Sequence, residues 1–244
     1  MSDSHLAGAY WGCREESAEA CASRAASFFQ LLADCHPSYA RWYEQARSPK
    51  QALQQRFEPT RDAFLRFFGQ GKYQNDGDGF HFSAWTGHER QSGEGGVVML
   101  HCGSTATGGP NSVRLSFPKD APGVEPLLTA AVAERVLKAL ARAWEPEWAL
   151  VTGDGLWEEF SRHDEADTFL GWMTYLPRLR EGLPSLPEPV RIESVGDTGS
   201  LIVLAPERFT RNDSERVALG HQVQRLLEER GFLGKMTATD AGIA

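Results

Sequence analysis

Apolar residues recur at helical spacing over residues 15–33, where Ala18, Cys21, Ala22, Ala25, Phe28, Phe29 and Leu32 fall on one face. Glu15 and Glu16 suit the positive end of such a helix, and Pro37 lies just past its stop. A short aromatic turn or helix is expected over 38–43. A second helix over 60–68 brings Phe64, Leu65, Phe67 and Phe68 together and ends at Gly69, and the glycine-rich stretch 69–79 reads as an exposed loop. The pattern then changes period. Short β-rich or alternating runs at 80–85, 97–102 and 113–117, each bounded by glycine or proline, predict three strands joined by hairpin loops over 87–96 and 103–111. Residues 125–144 return to helical spacing, with Leu128, Ala131, Val132, Arg135, Leu137 and Leu140 along one stripe, Pro126 at the start and Pro146 past the end.

The same order then recurs. The pattern predicts a strand at 148–152, a short acidic helix at 156–162, strands at 171–176, 190–195 and 201–204, and a last helix over 213–230. Asn212 with Glu215 would start that helix in the manner of a capping box, and Gly231 would stop it. The expected fold is a single α+β domain over 1–244, a mainly antiparallel sheet flanked by helices. Its pseudo-repeated halves, about 7–145 and 146–234, would each read strand, helix, three strands, helix. Pro177, Pro184, Pro187 and Pro189 mark a stiff surface excursion rather than a boundary, because the strands on both sides look like partners in one sheet.

A chain of 244 residues can hide roughly 70–75% of its unfolded surface without help from disulfides or metal. Cys13 and Cys21 would sit about 12 Å apart on a helix, too far to bridge, Cys35 lies beyond them and Cys102 stands alone, so reduced thiols are expected. The net charge of −8 argues against a nucleic-acid or anionic-membrane binder and suits a basic partner. No apolar run reaches the roughly 18 residues of a membrane span. Residues 1–8 lack the basic and apolar regions of a secretory signal, which points to the cytoplasm.

Catalytic motifs are missing where chemistry would need them. Gly93-Glu94-Gly95-Gly96 precedes a strand instead of joining strand to helix, and 103–109 lacks the lysine and hydroxyl of a phosphate loop. There is no Gly-x-Ser-x-Gly elbow. Residues 75–79 look like a calcium loop, but with Gly79 at the sharp turn position one would be Gln74 and position twelve Trp85, where a bidentate glutamate is required, and both positions fail. His81, His88 and His101 with Cys102 form a loose group, but neighbouring strand residues point to opposite faces, so the expectation is no metal and no cofactor. Two acidic groups stand out. Glu158, Glu159, Asp164, Glu165 and Asp167, with Trp157 beside them, form the denser one. Asp76, Asp78, Glu89 and Glu94, with Trp85, form the other. Each reads either as solvated surface or as a docking patch for a basic protein, with the tryptophans as anchors. Trp11, Trp144, Trp148 and Trp172 are expected in the core.

Several stretches together resemble the immunity protein 52 family of bacterial polymorphic toxin systems. They are Tyr10-Trp11-Gly12-x-Arg14-x-Glu16, Trp42, Asn111, Trp144-Glu145-Pro146-x-Trp148-Ala149, Gly171-Trp172-x-x-Tyr175-Leu176, and Leu201-Ile202-Val203-Leu204 with its helix. The resemblance spans about residues 10–232. It implies a non-enzymatic inhibitor of a cognate toxin, of restriction-endonuclease type and delivered by contact-dependent or type VI secretion. The partner would then be a DNA-cleaving enzyme with a basic cleft, and this chain would touch neither nucleic acid nor membrane. These signatures are mostly structural aromatics and turn residues, so they carry over no binding surface. A homodimer is compatible with the sequence. The competing readings are a small hydrolase using His81 or His101 with a nearby carboxylate, and a small-ligand sensor using the glycine-rich loops.

Overall fold

The computed structural model describes residues 4–75, 78–87, 95–106, 110–118, 127–161, 167–177 and 185–236. In chain order these form β1 (His5–Trp11), α1 (Ala18–Cys35), β2 (Trp42–Glu44), α2 (Pro49–Ala52), β3 (Arg56–Phe57), α3 (Arg61–Phe68), β4 (Phe80–Trp85), β5 (Val97–Cys102) and β6 (Asn111–Ser116). There follow α4 (Ala130–Trp144), β7 (Trp148–Gly153), α5 (Asp154–Phe160), β8 (Met173–Leu176), β9 (Arg191–Val195), β10 (Gly199–Val203) and α6 (Ser214–Glu229). The α+β reading holds: among the described residues six α-helices accompany one ten-stranded sheet whose neighbouring strands all run antiparallel.

The four long helices start where a short polar side chain can accept a backbone N–H that the first turn leaves unpaired. Ser17 caps Ala20, Thr60 caps Ala63, Thr129 caps Val132 and Asp213 caps Arg216. This corrects three expected starts. Ser17, not Glu15, opens α1. Asp213 replaces Asn212 at α6, and α4 begins after Thr129, which leaves Leu128 buried ahead of it. Within α4, Ala131 and Arg135 face outward, and the buried stripe is instead Val132, Ala133, Val136, Leu137 and Leu140. Strands β2 and β3 are additions that the hydrophobic pattern does not announce.

The sheet order is β3-β2-β4-β5-β6-β1-β7-β8-β10-β9. The first strand thus sits in the middle, zipped to β6 on one side and β7 on the other. In the first half the opening strand β1 pairs with the last of its three strands; in the second, β7 pairs with the first of its three. The first half also interposes β2, α2, β3 and α3 between its opening helix and its three strands, so the halves differ in element order as well as in strand connectivity. The strands on either side of the proline-rich stretch, β8 and β9, do lie in one sheet, with β10 between them.

Alternation sorts the two faces. Ala7, Ala9 and Trp11 point to the side of α1, α3 and α4, where Trp11 stacks on Trp144 and Phe82 of β4 meets Phe64 of α3. A cluster of rings, Phe29, Trp42, Phe57, Phe64 and Phe82, fills the space under α1 and α3. On the opposite face Tyr10 stacks on Trp148, and Phe169 meets both Trp148 and Trp157 of α5 edge to face. Phe160 of α5 then packs on His221 of α6. So β7, β8 and β10 have helices on both sides. Over β4, β5 and β6 that second face carries Ser83, Trp85, Met99, His101 and Arg114, none of them fully buried. Trp11, Trp144, Trp148 and Trp172 are buried as expected.

Candidate functional site

Of the acidic run near α5, Trp157, Glu158, Glu159 and Asp167 are described, while Asp164 and Glu165 lie outside the described residues. Trp157 is exposed at one edge and rests its ring on Phe169 at 4.8 Å. Glu158 and Glu159 point outward, but each meets a basic side chain of the same chain: Arg211 pairs with Glu158, and His221 Nε2 lies 2.9 Å from Glu159. Asp167 joins Lys235 in a backbone bridge. The densest acidic stretch is therefore partly answered from within the chain.

The second expected group separates. Asp76 and Glu89 lie outside the described residues, as does Glu94. Trp85 is half-buried at the end of β4, its ring 6.5 Å from that of Tyr43. Asp78 is not a free charge at all. Its carboxylate accepts from Ser104 Oγ, Thr105 N and Oγ1, and Ala106 N, and so staples the turn after β5. Asn111 completes the staple by accepting from Ser104 N and donating to the carbonyls of Ser104 and Gly12. The bonds from Ser104 and Thr105 hold the Asp78 carboxyl down, from 3.8 to about 2. A depressed folded value adds stability that is complete above about pH 4 and is lost as pH falls toward 2. Denaturant midpoints of the wild type and Asp78→Asn should differ by a constant amount from pH 7 to pH 5, and the gap should shrink below about pH 4. A gap that persists undiminished to pH 2 would remove the staple from the account.

Part of the signature that carries the family resemblance, Trp11, Arg14, Glu16, Trp144 and Glu145, meets at the C-terminal end of α4. Helix ends leave carbonyls without partners, and cations satisfy them best. Arg14 donates to the carbonyls of Trp144 (2.9 Å) and Glu145 (3.4 Å), and Arg24 donates to that of Ala143 (3.0 Å). Glu16, 8% exposed at its side chain, lies between both guanidinium groups at 3.2 and 2.6 Å. Arg14 also sits 4.8 Å over the Trp11 ring. Burial lowers the Arg14 pKa. At Arg24 burial works the same way, but bonds to Glu145 and Glu16 outweigh it and raise the value. Glu145 takes the left-handed conformation that ends the helix (φ 47°) and holds Arg24 at 2.8 Å, while Glu147 accepts from Gly12 N. This cluster is a clamp joining β1, α1 and α4. A cleft of about 440 Å³ opens beside it, lined by Glu145, Glu147, Leu176, Phe232 and Lys235. Its carboxylates already serve the clamp.

His81 and His101 stand directly opposite each other on β4 and β5. His81 Nδ1 meets Asn75 Oδ1 at 2.7 Å, an amide where the hydrolase reading wanted a carboxylate. Among the described residues no three His, Cys, Asp or Glu side chains gather as a metal site. Cys102, expected alone, is buried against Cys21, and its thiol is pushed up by that contact and by burial.

Charge is distributed unevenly along the sheet. Residues 145–244 hold 18 Asp and Glu against 10 Lys and Arg, which is the whole of the −8 excess; residues 1–144 hold 15 of each. The β3 edge is basic, since residues 41–72 carry seven Lys and Arg, all exposed, against three acids. The β9 edge is the acidic end. There, between α6 and the chain entering β9, runs a groove of about 650 Å³ lined by Glu188, Pro189, Pro206, Asp213, Glu215 and Leu219, with Arg216 beside them. These acids are spread over 28 positions and form no run, so no local pattern marks them in the sequence.

A sequence model of the family described as immunity protein 52 matches residues 3–236. No curated protein matches the sequence. Among solved structures, a Pseudomonas aeruginosa T6SS (type VI secretion system) protein is similar in fold, with 13% identity and a TM-score of 0.57 over 92% of this chain and 76% of that one.

Proposed function

The chain belongs to the immunity protein 52 family, and from that premise we propose that it protects a cell by binding a cognate toxin and holding it inactive, without covalent chemistry of its own. The match over residues 3–236 carries this reading, because it takes in every described strand and helix. The charge distribution supports a finer version. A toxin that cleaves DNA must present a basic cleft to phosphates. A chain whose negative excess lies entirely in residues 145–244 offers a complementary end, and complementary potentials speed encounter and select partners. Such a toxin meets its substrate in the cytoplasm, so protection would be exerted there. Among the described residues no helix is long and apolar enough to cross a membrane.

Coproduction with the toxin encoded beside this chain tests the proposal. Cells should survive, and the toxin should copurify through tags on either partner, in amounts that fall as salt rises, as binding between exposed charges requires. Survival without a complex, or death despite soluble expression of both, would refute it.

A further inference from the structure

The acidic groove at the β9 edge has the makings of a docking site. Its lining combines apolar side chains, Pro189, Ala205, Pro206 and Leu219, with the carboxylates of Glu188, Asp213 and Glu215. Arg216, also in the lining, answers one of these carboxylates, Asp213 at 3.4 Å, and reaches Glu207 outside the groove at 4.0 Å, so the negative charge it leaves is that of Glu188 and Glu215. Among the described residues no ion pair engages Glu188, and Glu215 projects exposed from the first turn of α6.

Next to the groove lies the terminal strand of the sheet. Among the described residues β9 pairs with β10 alone, so its outer edge offers backbone donors and acceptors to an added strand. Arg191 and Glu193 on β9 turn toward α4, where they bind Glu134 and Lys138. Ile192 between them points to the other face, the α6 side, and is 40% exposed, one of two large apolar side chains so exposed among the described residues. An exposed isoleucine near a groove lined by apolar side chains and carboxylates fits an extended segment carrying an apolar anchor flanked by Lys or Arg.

We infer that the groove between α6 and β9, with Ile192 at its side, seats a basic extended segment of the cognate toxin. This inference rests on the immunity reading above and assigns that reading a surface. A second copy related by two-fold symmetry is a poor occupant, because each acidic groove would face another. Nucleic acid and anionic lipid carry the wrong sign.

The test uses the whole chain and a catalytically inactive form of the neighbouring toxin, with affinity measured by calorimetry. The double substitution Glu188→Lys with Glu215→Lys should weaken binding about 100-fold, since two attractive pairs become repulsive. Glu58→Lys, at the basic end, should leave affinity within about twofold. Lysine in the first turn of a helix opposes its dipole and costs some stability. The milder pair Glu188→Gln with Glu215→Gln avoids that cost and should still weaken binding about tenfold. Ile192→Ser should add a further loss. If wild type binds the toxin and both pairs bind equally well, the groove is not the docking site and the immunity reading stands. If wild type does not bind, the immunity reading itself fails. Concentration-dependent dimerisation abolished by the double reversal would assign the groove to a second copy and overturn the inference.

Discussion

Replacing Arg14 by alanine should cost about 3 kcal/mol of folding stability, the low end of what breaking a buried ion pair costs. One substitution removes four interactions. The carbonyls of Trp144 and Glu145 lose their donor, the Trp11 ring loses its cation, and Glu16, nearly buried, keeps only Arg24. The last loss weighs most, because a carboxylate stripped of half its partners no longer offsets its desolvation. For a chain of 244 residues this corresponds to a fall in Tm of roughly 6–12 °C. Arg14→Lys should recover only part, since an ammonium keeps the charge but cannot fork between two carbonyls. Denaturant unfolding of the two variants checks both statements. A loss below about 1 kcal/mol for alanine would mean that the clamp does not hold α4 to β1 and α1.

Gly220→Val should cost a similar amount by an opposite route, overpacking. α6 lies on α5 and the sheet through a glycine, and a Cβ there would come 2.4 Å from Phe160 Cζ and 3.5 Å from Leu204 Cδ1. Phe160 is 1% exposed and has nowhere to turn. One turn along α6, Gln224 accepts from Leu170 N and donates to the Phe160 carbonyl, so moving the helix outward strands buried polar groups as well. Overpacking of this kind costs about 1–3 kcal/mol, and unsatisfied partners take the expected total to about 3 kcal/mol. Gly220→Ala should be milder, because better helix propensity returns up to about 1 kcal/mol. Since α6 forms one wall of the acidic groove, Gly220→Val should also weaken toxin binding, whereas Arg14→Ala, far along the chain from the groove, should spare it once folded. Stability equal to wild type for Gly220→Val would show that α6 does not pack as described.

The long helices and the strands β4 to β10 are legible from local pattern alone, because each repeats its period over enough residues. Strands β2 and β3, of three and two residues, are too short to show one. Strand order is hidden for a different reason: β1 belongs to two pairings with partners more than a hundred residues away, and no local signal records that. The same distance rule governs the site. Glu158 and Glu159 are visible as charges, but their partners Arg211 and His221 come 53 and 62 residues later. Asp78 looks like part of an acidic loop and is a hydrogen-bond staple to residues 26–28 positions on. The aromatic and arginine signature is readable as a motif, and only its convergence on the end of α4 reveals what it does. Glu188 and Glu215 give no sign, because the groove that unites them exists only once α6 lies beside the sheet.

The central claim is that protection comes from a stoichiometric complex and from no turnover by this chain. Titration of the purified chain into a fixed amount of active toxin measures it directly. Residual toxin activity should fall in proportion to added chain and vanish at a fixed molar ratio, unchanged by longer preincubation. Progressive inactivation of excess toxin by a substoichiometric amount of chain, or full toxin activity at saturating chain, would contradict it.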